Sequence, residues 1–263
     1  MFNETGGLVC FTGGGGKTTS MQRLTDRLTQ NGRFGHATVL VTATTKMAID
    51  EPWSSASVVG QNILLAKNYP SVFSPDLISR IKNITEAHRI VFLFQDIDTE
   101  NGKYIGLSPD EVFLLHGLNL ASWTLVEADG AARKPLKGYA EHEPPLPRCF
   151  DWQIVLVGAD ALAQPMNEDT TARFEILRNF LGIKKGEVLT PPLLLRLLSS
   201  PIMYLKNSPP DVKRVLCINK SDILPPATLE PWITYLRAHL SHYHKILVTG
   251  RNEENFYGLD IAN

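Results

Sequence analysis

The sequence predicts an α/β fold with a mainly parallel sheet and helices on both faces. Apolar runs rich in strand-forming residues alternate with helical patterns along most of the 263 residues. This alternation is typical of chains that build a parallel sheet from βαβ units. The runs are continuously apolar, as expected of strands that are buried on both sides. The chain is also long enough to bury a sizeable core.

The predicted elements follow in chain order, each from its own local pattern. Strands are expected over seven apolar runs, at residues 7–12, 38–42, 89–94, 123–127, 153–157, 214–218 and 245–248. Helices are expected after residue 16 with Gly32 as C-cap, from Ser108 to Gly117, after Thr190, and over residues 226–241. Ser108 begins its helix with a capping box, and Gly117 closes it. We expect residues 1–263 to form one domain, with a small insertion or antiparallel excursion around residues 57–107.

A glycine-rich turn joins the first predicted strand to the first helix. It consists of Gly13, Gly14, Gly15, Gly16, Lys17, Thr18 and Thr19. Glycines let a backbone turn tightly and bring its N–H groups close to an anion, and a helix N-terminus adds partial positive charge. We expect this turn to bind nucleotide phosphates, with Lys17 on the β- and γ-phosphates and the Thr18 hydroxyl on Mg²⁺. The alternative is a turn that binds nothing, but four glycines followed by Lys-Thr-Thr favour the nucleotide.

A second motif follows the predicted strand at residues 214–218. It contains Asn219, Lys220 and Asp222, at the carboxyl end of a strand, where ligands bind in open α/β sheets. Asp222 can accept hydrogen bonds from N1 and the exocyclic amine of guanine, Asn219 can donate to the opposite edge, and the Lys220 stem can cover the ring. Adenine would leave the carboxylate unpaired. The structural alternative is a polar turn whose Asn and Asp bond their own backbone.

Acidic residues end the predicted strand at residues 123–127. Glu127 and Asp129 are rival candidates for the carboxylate that reaches Mg²⁺ directly or through water, and either is a candidate catalytic residue beside Lys17. We expect the N–H of Gly130 to contact the γ-phosphate. The alternative is an acidic turn with no ligand.

Two further polar segments are weaker candidates. Thr44, Thr45 and Lys46 follow a predicted strand and are candidates for phosphate or Mg²⁺ contacts, although strand propensity also explains the threonines. The basic run at residues 133–137 could neutralise charge on a transferred group, and the acidic, proline-rich run at residues 141–147 could bind a partner or a substrate. For most of these residues a solvated loop explains the composition equally well.

Composition narrows the class of protein. The net charge is −1, so we expect neither nucleic acid nor an anionic membrane as a partner. No apolar run approaches the length of a membrane span, and the first residues lack the character of a signal peptide. The three cysteines are sparse and unpaired in sequence, which favours a reducing cytoplasm.

With these motifs in place, the chain resembles known families. The glycine-rich turn resembles the phosphate loop of the SIMIBI class of P-loop NTPases, although a strict P-loop has glycine where Phe11 stands and many SIMIBI members have lysine where Thr12 stands. The chain as a whole resembles the YqeC family of accessory proteins for selenium-dependent molybdenum hydroxylases. That likeness is carried by residues 13–19, 42–46, 127–130, 135–137, 143–144, 173–175 and 219–222.

These observations predict a cytoplasmic P-loop protein that binds Mg²⁺ and GTP and hydrolyses GTP slowly. Hydrolysis is expected to be slow because no glutamine or arginine stands out in the sequence as the group that stabilises the transition state. The YqeC resemblance implies an accessory or maturation factor whose client is a molybdoenzyme, with other maturation proteins as further partners. The rivals are an ATP-dependent ligase resembling Mur enzymes, which leaves residues 219–222 unexplained, and a module that binds a nucleotide or cofactor without turnover.

Overall fold

Nine strands of one sheet organise the part of the chain that the computed structural model describes, which is residues 5–30, 37–48, 62–162, 164–250 and 257–260. All strands within those ranges are β1 (Gly7–Gly13), β2 (Val39–Ala43), β3 (Met47–Ala48), β4 (Ile63–Leu65), β5 (Ile90–Phe94), β6 (Asp96–Asp98), β7 (Lys103–Ile105), β8 (Trp123–Glu127), β9 (Leu136–Lys137), β10 (Trp152–Gly158), β11 (Thr171–Ala172), β12 (Lys213–Asn219), β13 (Lys245–Val248) and β14 (Tyr257–Asp260). The α-helices in the same ranges are α1 (Lys17–Thr29), α2 (Pro75–His88), α3 (Pro109–Gly117), α4 (Phe174–Leu181), α5 (Pro191–Leu198) and α6 (Pro226–His239).

The main sheet has the order β14-β13-β12-β10-β1-β8-β2-β5-β4. Eight of its strands run parallel, and β14 pairs antiparallel with β13 at one edge. All seven predicted strands are found within one residue of the expected bounds at each end. The prediction of a mainly parallel α/β sheet is confirmed.

Helices pack on both faces of the sheet because successive strand residues point to opposite sides. Val9 and Phe11 of β1 share a core cluster with Met21 and Leu28 of α1. Cys10 of β1 lies in a separate cluster with residues of α2 and α3. The helices α4, α5 and α6 pack with alternate residues of β10, β12 and β13. The register of β1 with β10 places this last cluster on the face opposite α1.

The region around residues 57–107, where an insertion or antiparallel excursion is predicted, contributes β6 and β7 to a small second sheet. Strands β3, β7 and β6 pair antiparallel in that order, and the ring of Tyr104 stacks on that of Phe94 at 4.4 Å between centroids. The same region also contains β4, α2 and β5. Residues 57–61 of the predicted insertion lie outside the described residues, and so does the predicted C-cap Gly32.

Within the described ranges, the helix ends match the prediction except at the end of α6. The Ser108 side chain accepts from the N–H of Glu111, whose carboxylate accepts from the N–H of Ser108, so the capping box is confirmed. The side chain of Thr190 caps α5. The late helix α6 ends at His239, two residues before the predicted end. Within the described ranges, no helix is both long enough and apolar enough to cross a bilayer.

Candidate functional site

The glycine-rich turn lies at the carboxyl edge of the sheet, between β1 and α1. Gly16 has φ 113°, and a Cβ there would lie 2.3 Å from the amide nitrogen of Asn219. A Cβ on Gly14 would lie 2.5 Å from the carbonyl oxygen of Lys134. These glycines are needed because other chain segments pack directly against the turn.

Neighbouring segments hold the first part of the turn by its N–H groups. Gly13 donates to Asp129 at 2.9 Å, Gly14 to the carbonyl of Leu156 at 3.0 Å, and Gly15 to the carbonyl of Lys134 at 3.0 Å. The N–H groups that follow lie in the first turn of α1. The helix itself contains no carbonyl oxygens that could accept hydrogen bonds from them. The turn is therefore anchored at its start, while its end leads into a helix N-terminus suited to an anion.

Lys17 is buried and bound to the turn that precedes it. Its Nζ donates to the carbonyl oxygen of Gly13 at 2.8 Å and lies 2.9 Å from Oδ1 of Asp129. The Lys17 side chain is 5% exposed and that of Asp129 is fully buried. A buried ammonium and a buried carboxylate require each other, because either alone would be costly to desolvate.

Thr18 pairs with the other predicted acid. Its hydroxyl donates to Oε2 of Glu127 at 2.7 Å. The contact forms because β1 and β8 are direct neighbours, with Phe11 opposite Glu127 in the register. Both side chains line the same cavity, whereas Asp129 is outside its lining. The structure thus gives Glu127 and Asp129 different surroundings, whereas the sequence alone could not distinguish their roles.

A chain of buried charges leads away from Asp129. Lys137 is fully buried, with its Nζ 3.9 Å from Oδ2 of Asp129 and 2.9 Å from Oε1 of Glu143. It also donates to the carbonyl of Gly130. Glu143 in turn accepts from the guanidinium of Arg173 through Nε and one Nη atom. The glycine-rich turn and Arg173 are therefore joined by successive ion pairs.

The pKa values of this cluster follow from burial and charge. Burial alone would raise the pKa of Glu143, but hydrogen bonds from Arg173 and Lys137 outweigh it and hold that pKa below its ordinary value. Burial, with the nearby charge of Asp129, raises the pKa of Tyr139 well above its ordinary value. Glu143 is therefore charged at neutral pH, and Tyr139 stays protonated.

The second motif, at residues 219–222, contacts the glycine-rich turn through Asn219. Nδ2 of Asn219 donates to the carbonyl oxygen of Gly15 at 2.8 Å, and its Oδ1 accepts from Thr249 at 2.8 Å. Lys220 has a left-handed φ of 61° and pairs with Asp160 at 2.7 Å. Asp222 is exposed and lines a second cavity of about 530 Å³, together with residues of α6.

The main cavity has a volume of about 970 Å³. Of the predicted site residues, it is lined by Gly15, Gly16, Lys17, Thr18, Glu127, Gly130 and Lys220. Gly13, Gly14, Thr19, Asp129, Asn219 and Asp222 are not in the lining. Thr45 and Lys46 also line this cavity, and Lys46 pairs with Asp98 at 2.9 Å.

The charge of the lining is strongly positive. Six cationic side chains face the cavity, those of Lys17, Lys46, Lys103, Arg133, Arg173 and Lys220. Two carboxylates accompany them, those of Glu127 and Glu143. The lining thus carries four more positive than negative charges, although the whole chain has a net charge of −1. Within the described ranges, no three His, Cys, Asp or Glu side chains form a metal cluster.

Sequence reasoning missed the roles of Lys137, Glu143 and Arg173. It treated residues 133–137 and 141–147 largely as solvated loops, because lysine and glutamate are seldom buried. A signal was present in the likeness of residues 135–137, 143–144 and 173–175 to family segments. The burial of Lys137 and Glu143 is explained by the ion pairs that they form with each other and with Arg173.

The sequence is similar to known proteins of one family. The sequence model of the family described as "YqeC protein" matches residues 9–175, from β1 to the start of α4. A relative named "Uncharacterized protein YqeC", from Escherichia coli strain K12, is 26% identical over 213 residues, which are 81% of this chain and 75% of the relative. No solved structure matches. Because the family match covers more than half of the chain, this chain belongs to the YqeC family.

Proposed function

We propose that this protein binds a nucleoside triphosphate with Mg²⁺ and prefers GTP. One observation carries the proposal: the end of the glycine turn, Lys17 and the Thr18–Glu127 pair meet in one cavity at the N-terminus of α1. A helix N-terminus, a lysine and backbone N–H groups form the usual environment of a polyphosphate.

Electrostatics supports an anionic ligand. The six cations of the lining outnumber its two carboxylates. Lys17, Lys46 and Lys220 have carboxylate partners outside the lining, in Asp129, Asp98 and Asp160. A nucleoside triphosphate would offset the remaining excess, which would otherwise be repulsive in a partly enclosed site.

The two acids are assigned different roles in this proposal. Thr18 and Glu127 would hold Mg²⁺, because hydroxyl and carboxylate oxygens suit this ion and both face the cavity. When bound, Mg²⁺ would neutralise charge on the β- and γ-phosphates. Asp129 would hold Lys17 and the N–H of Gly13 in place without touching the ion.

The preference for GTP is supported by the position of the second motif. Asn219 bonds directly to Gly15, so the base-reading residues adjoin the phosphate turn. Lys220 lines the main cavity, and Asp222, two residues on, lines the second. A nucleotide with its phosphates at α1 would direct its base toward residues 219–222.

The cellular role follows from the family resemblance alone. We propose slow GTP hydrolysis that controls docking to a client, and a selenium-dependent molybdenum hydroxylase as that client. The sequence motifs and the cavity support nucleotide binding, and the resemblance supports the client.

The test is a direct measurement on the purified protein. GTP and ATP are titrated with Mg²⁺ and with EDTA, and phosphate release is followed at saturating nucleotide. We expect Mg²⁺-dependent binding with GTP tighter than ATP, and slow phosphate release. Binding without release would favour the module that does not turn nucleotide over, whereas no binding of either nucleotide would refute the proposal.

A further inference from the structure

Arg173 occupies a position in the cavity that the sequence analysis did not predict. Its side chain is 41% exposed and lines the same cavity as Lys17, Thr18 and Glu127. It comes from a distant part of the chain, directly before α4. Its guanidinium adds a positive charge to the cavity in which the proposed function puts the phosphates.

The backbone around Arg173 is fixed by contacts with the segment that packs on the phosphate turn. Strand β11 pairs with β9, with Ala172 opposite Lys137. Gly138 donates to the carbonyl of Ala172 at 2.9 Å, and a Cβ on Gly138 would lie 2.9 Å from the carbonyl oxygen of Arg173. Arg173 itself has a left-handed φ of 53°, which is costly for a residue with a side chain. A tightly packed neighbour therefore keeps Arg173 in a strained conformation.

The side chain is also preorganised. Oε1 of Glu143 accepts from one Nη atom of Arg173 at 3.0 Å, and its other oxygen accepts from Nε. Glu143 is held in turn by Lys137 at 2.9 Å and by the N–H of Ala140 at 3.1 Å. A guanidinium has five N–H donors, and this pairing uses two of them. The remaining donors can bind a second anion without a change of rotamer.

We propose that Arg173 is a catalytic residue that contacts the phosphoryl group being transferred, an inference that rests on the proposed function. In hydrolysis, an oxygen of water forms a bond to the γ-phosphorus as the bond from that phosphorus to the bridging oxygen breaks. The bonding electrons leave on the β-phosphate of the diphosphate, and the proton of water leaves with the phosphate product or to solvent. Charge builds up on the bridging and γ-phosphate oxygens, and a fixed guanidinium stabilises it.

This role changes the expectation drawn from sequence. The sequence analysis found no arginine that would stabilise the transition state. In this proposal Arg173 supplies that positive charge from within the chain, so no partner protein has to supply it. Glu143 acts as a positioning residue, because it orients the guanidinium and has Lys137 to balance its own charge.

The test compares Arg173→Ala with Arg178→Ala. Arg178 is a matched control because it lies on α4, is 38% exposed and pairs with Glu175 at 2.6 Å, but does not line the cavity. We expect Arg173→Ala to slow phosphate release about 100-fold or more. GDP affinity and thermal unfolding should stay close to wild type. Arg173→Lys should recover only part of the rate, because lysine cannot form the two-point contact with Glu143.

A second readout separates catalysis from structure. Aluminium fluoride with GDP mimics the phosphoryl group in transfer, and transition-state mimics bind more tightly than ground-state ligands. Wild type and Arg178→Ala should bind GDP with aluminium fluoride more tightly than GDP alone, without a partner protein. Arg173→Ala should lose that gain while it keeps its affinity for GDP.

The outcomes distinguish the two proposals. If wild type binds no nucleotide, the proposed function fails and the role of Arg173 fails with it. If wild type binds and hydrolyses GTP but Arg173→Ala matches Arg178→Ala in rate and in aluminium fluoride binding, only the role of Arg173 is overturned.

Discussion

Two adjacent residues at the end of the glycine-rich turn bind different acidic residues, one at the end of β8 and one in the turn that follows β8. Lys17 pairs with Asp129, and Thr18 bonds to Glu127. Glu127 faces the cavity, whereas Asp129 is fully buried and also accepts from the N–H of Gly13. At the scale of single residues, the difference between a candidate metal ligand and an anchoring residue lies in which oxygen atoms remain accessible to a ligand.

Substituting the two acids should therefore give different results. Glu127→Gln should abolish the Mg²⁺ dependence of GTP binding and the release of phosphate, because an amide is a poor ligand for this ion. Asp129→Asn should keep the response to Mg²⁺ but lower the free energy of unfolding by about 1–3 kcal/mol, since Lys17 loses its charged acceptor. GTP titrations with and without EDTA, together with denaturant unfolding, measure both effects. The assignment is wrong if Asp129→Asn removes the Mg²⁺ response and Glu127→Gln does not.

Removing Lys17 should affect both binding and stability. Lys17→Ala should abolish tight GTP binding and destabilise the fold by up to about 3–5 kcal/mol, because Asp129 remains buried without its closest cation. Adding Asp129→Asn should recover much of that stability but none of the binding. Denaturant unfolding of the four proteins in the cycle gives the coupling free energy. If Lys17→Ala binds GTP as tightly as wild type does, Lys17 has no phosphate-binding role.

The cysteines should differ sharply in reactivity. Burial raises the pKa of Cys10 well above its ordinary value and that of Cys217 to about 11, whereas Cys149 is exposed. Because only a thiolate reacts quickly, one thiol of the three should react with a disulfide reagent at pH 8 in the native protein, and all three in denaturant. Fast labelling of two thiols in the native state would contradict this packing. Cys149→Ser, which should show none, is the control.

Strands and helices could be predicted from the sequence where the residues that specify them are neighbours in the chain. The long apolar strands and the capping box of α3 depend on neighbouring residues only. Two helices were missed, although α4 has a buried stripe of Phe174, Leu177 and Leu181 at helical spacing. Strands β9 and β11 are two residues long, which is too short for any periodicity. Their pairing, and the buried Lys137 that follows from it, could be predicted only from contacts between distant segments.

The approach of α4 to β9 can be tested at Gly138. Gly138→Ala would put a Cβ 2.9 Å from the carbonyl oxygen of Arg173 and 3.0 Å from the backbone nitrogen of Leu177. We expect α4 to shift, the unfolding free energy to fall by about 1–3 kcal/mol and phosphate release to slow. Gly117→Ala, where the Cβ meets nothing within 4 Å, is the matched control and should be neutral or slightly stabilising. Equal stability and equal turnover in both variants would show that this close approach has no role.

At the scale of the whole molecule, the parallel sheet brings together residues that are far apart in sequence. The bond from Asn219 to Gly15 spans 204 residues, and β10 alone lies between the strands that lead to them. That both motifs lie at the carboxyl edge was predictable, because parallel strands end on the same side. Which cavity each side chain lines was not, since it depends on the local turn. Lys220 adopts a left-handed conformation, and Asp222 then lines the second cavity.

The position of Asp222 gives the sharpest test of base recognition. A carboxylate only accepts hydrogen bonds, and guanine offers it two donors, whereas an amide can donate one itself. Asp222→Asn should therefore weaken GTP binding by about 1–3 kcal/mol and strengthen binding of xanthosine triphosphate, which has an acceptor oxygen in place of the amine. ATP should not gain, because the rest of its base edge still mismatches the site.

The control for this substitution lies in the same cavity. Glu230 of α6 also lines the second cavity, so Glu230→Gln removes an equal charge nearby and should leave the ratio of GTP to xanthosine triphosphate affinity unchanged. Competition among GTP, ATP and xanthosine triphosphate on wild type and both variants measures these ratios. If wild type binds ATP as tightly as GTP, or Asp222→Asn shifts no more than Glu230→Gln, residues 219–222 act only as a turn. Asn219 would then serve only to hold the glycine-rich turn through Gly15.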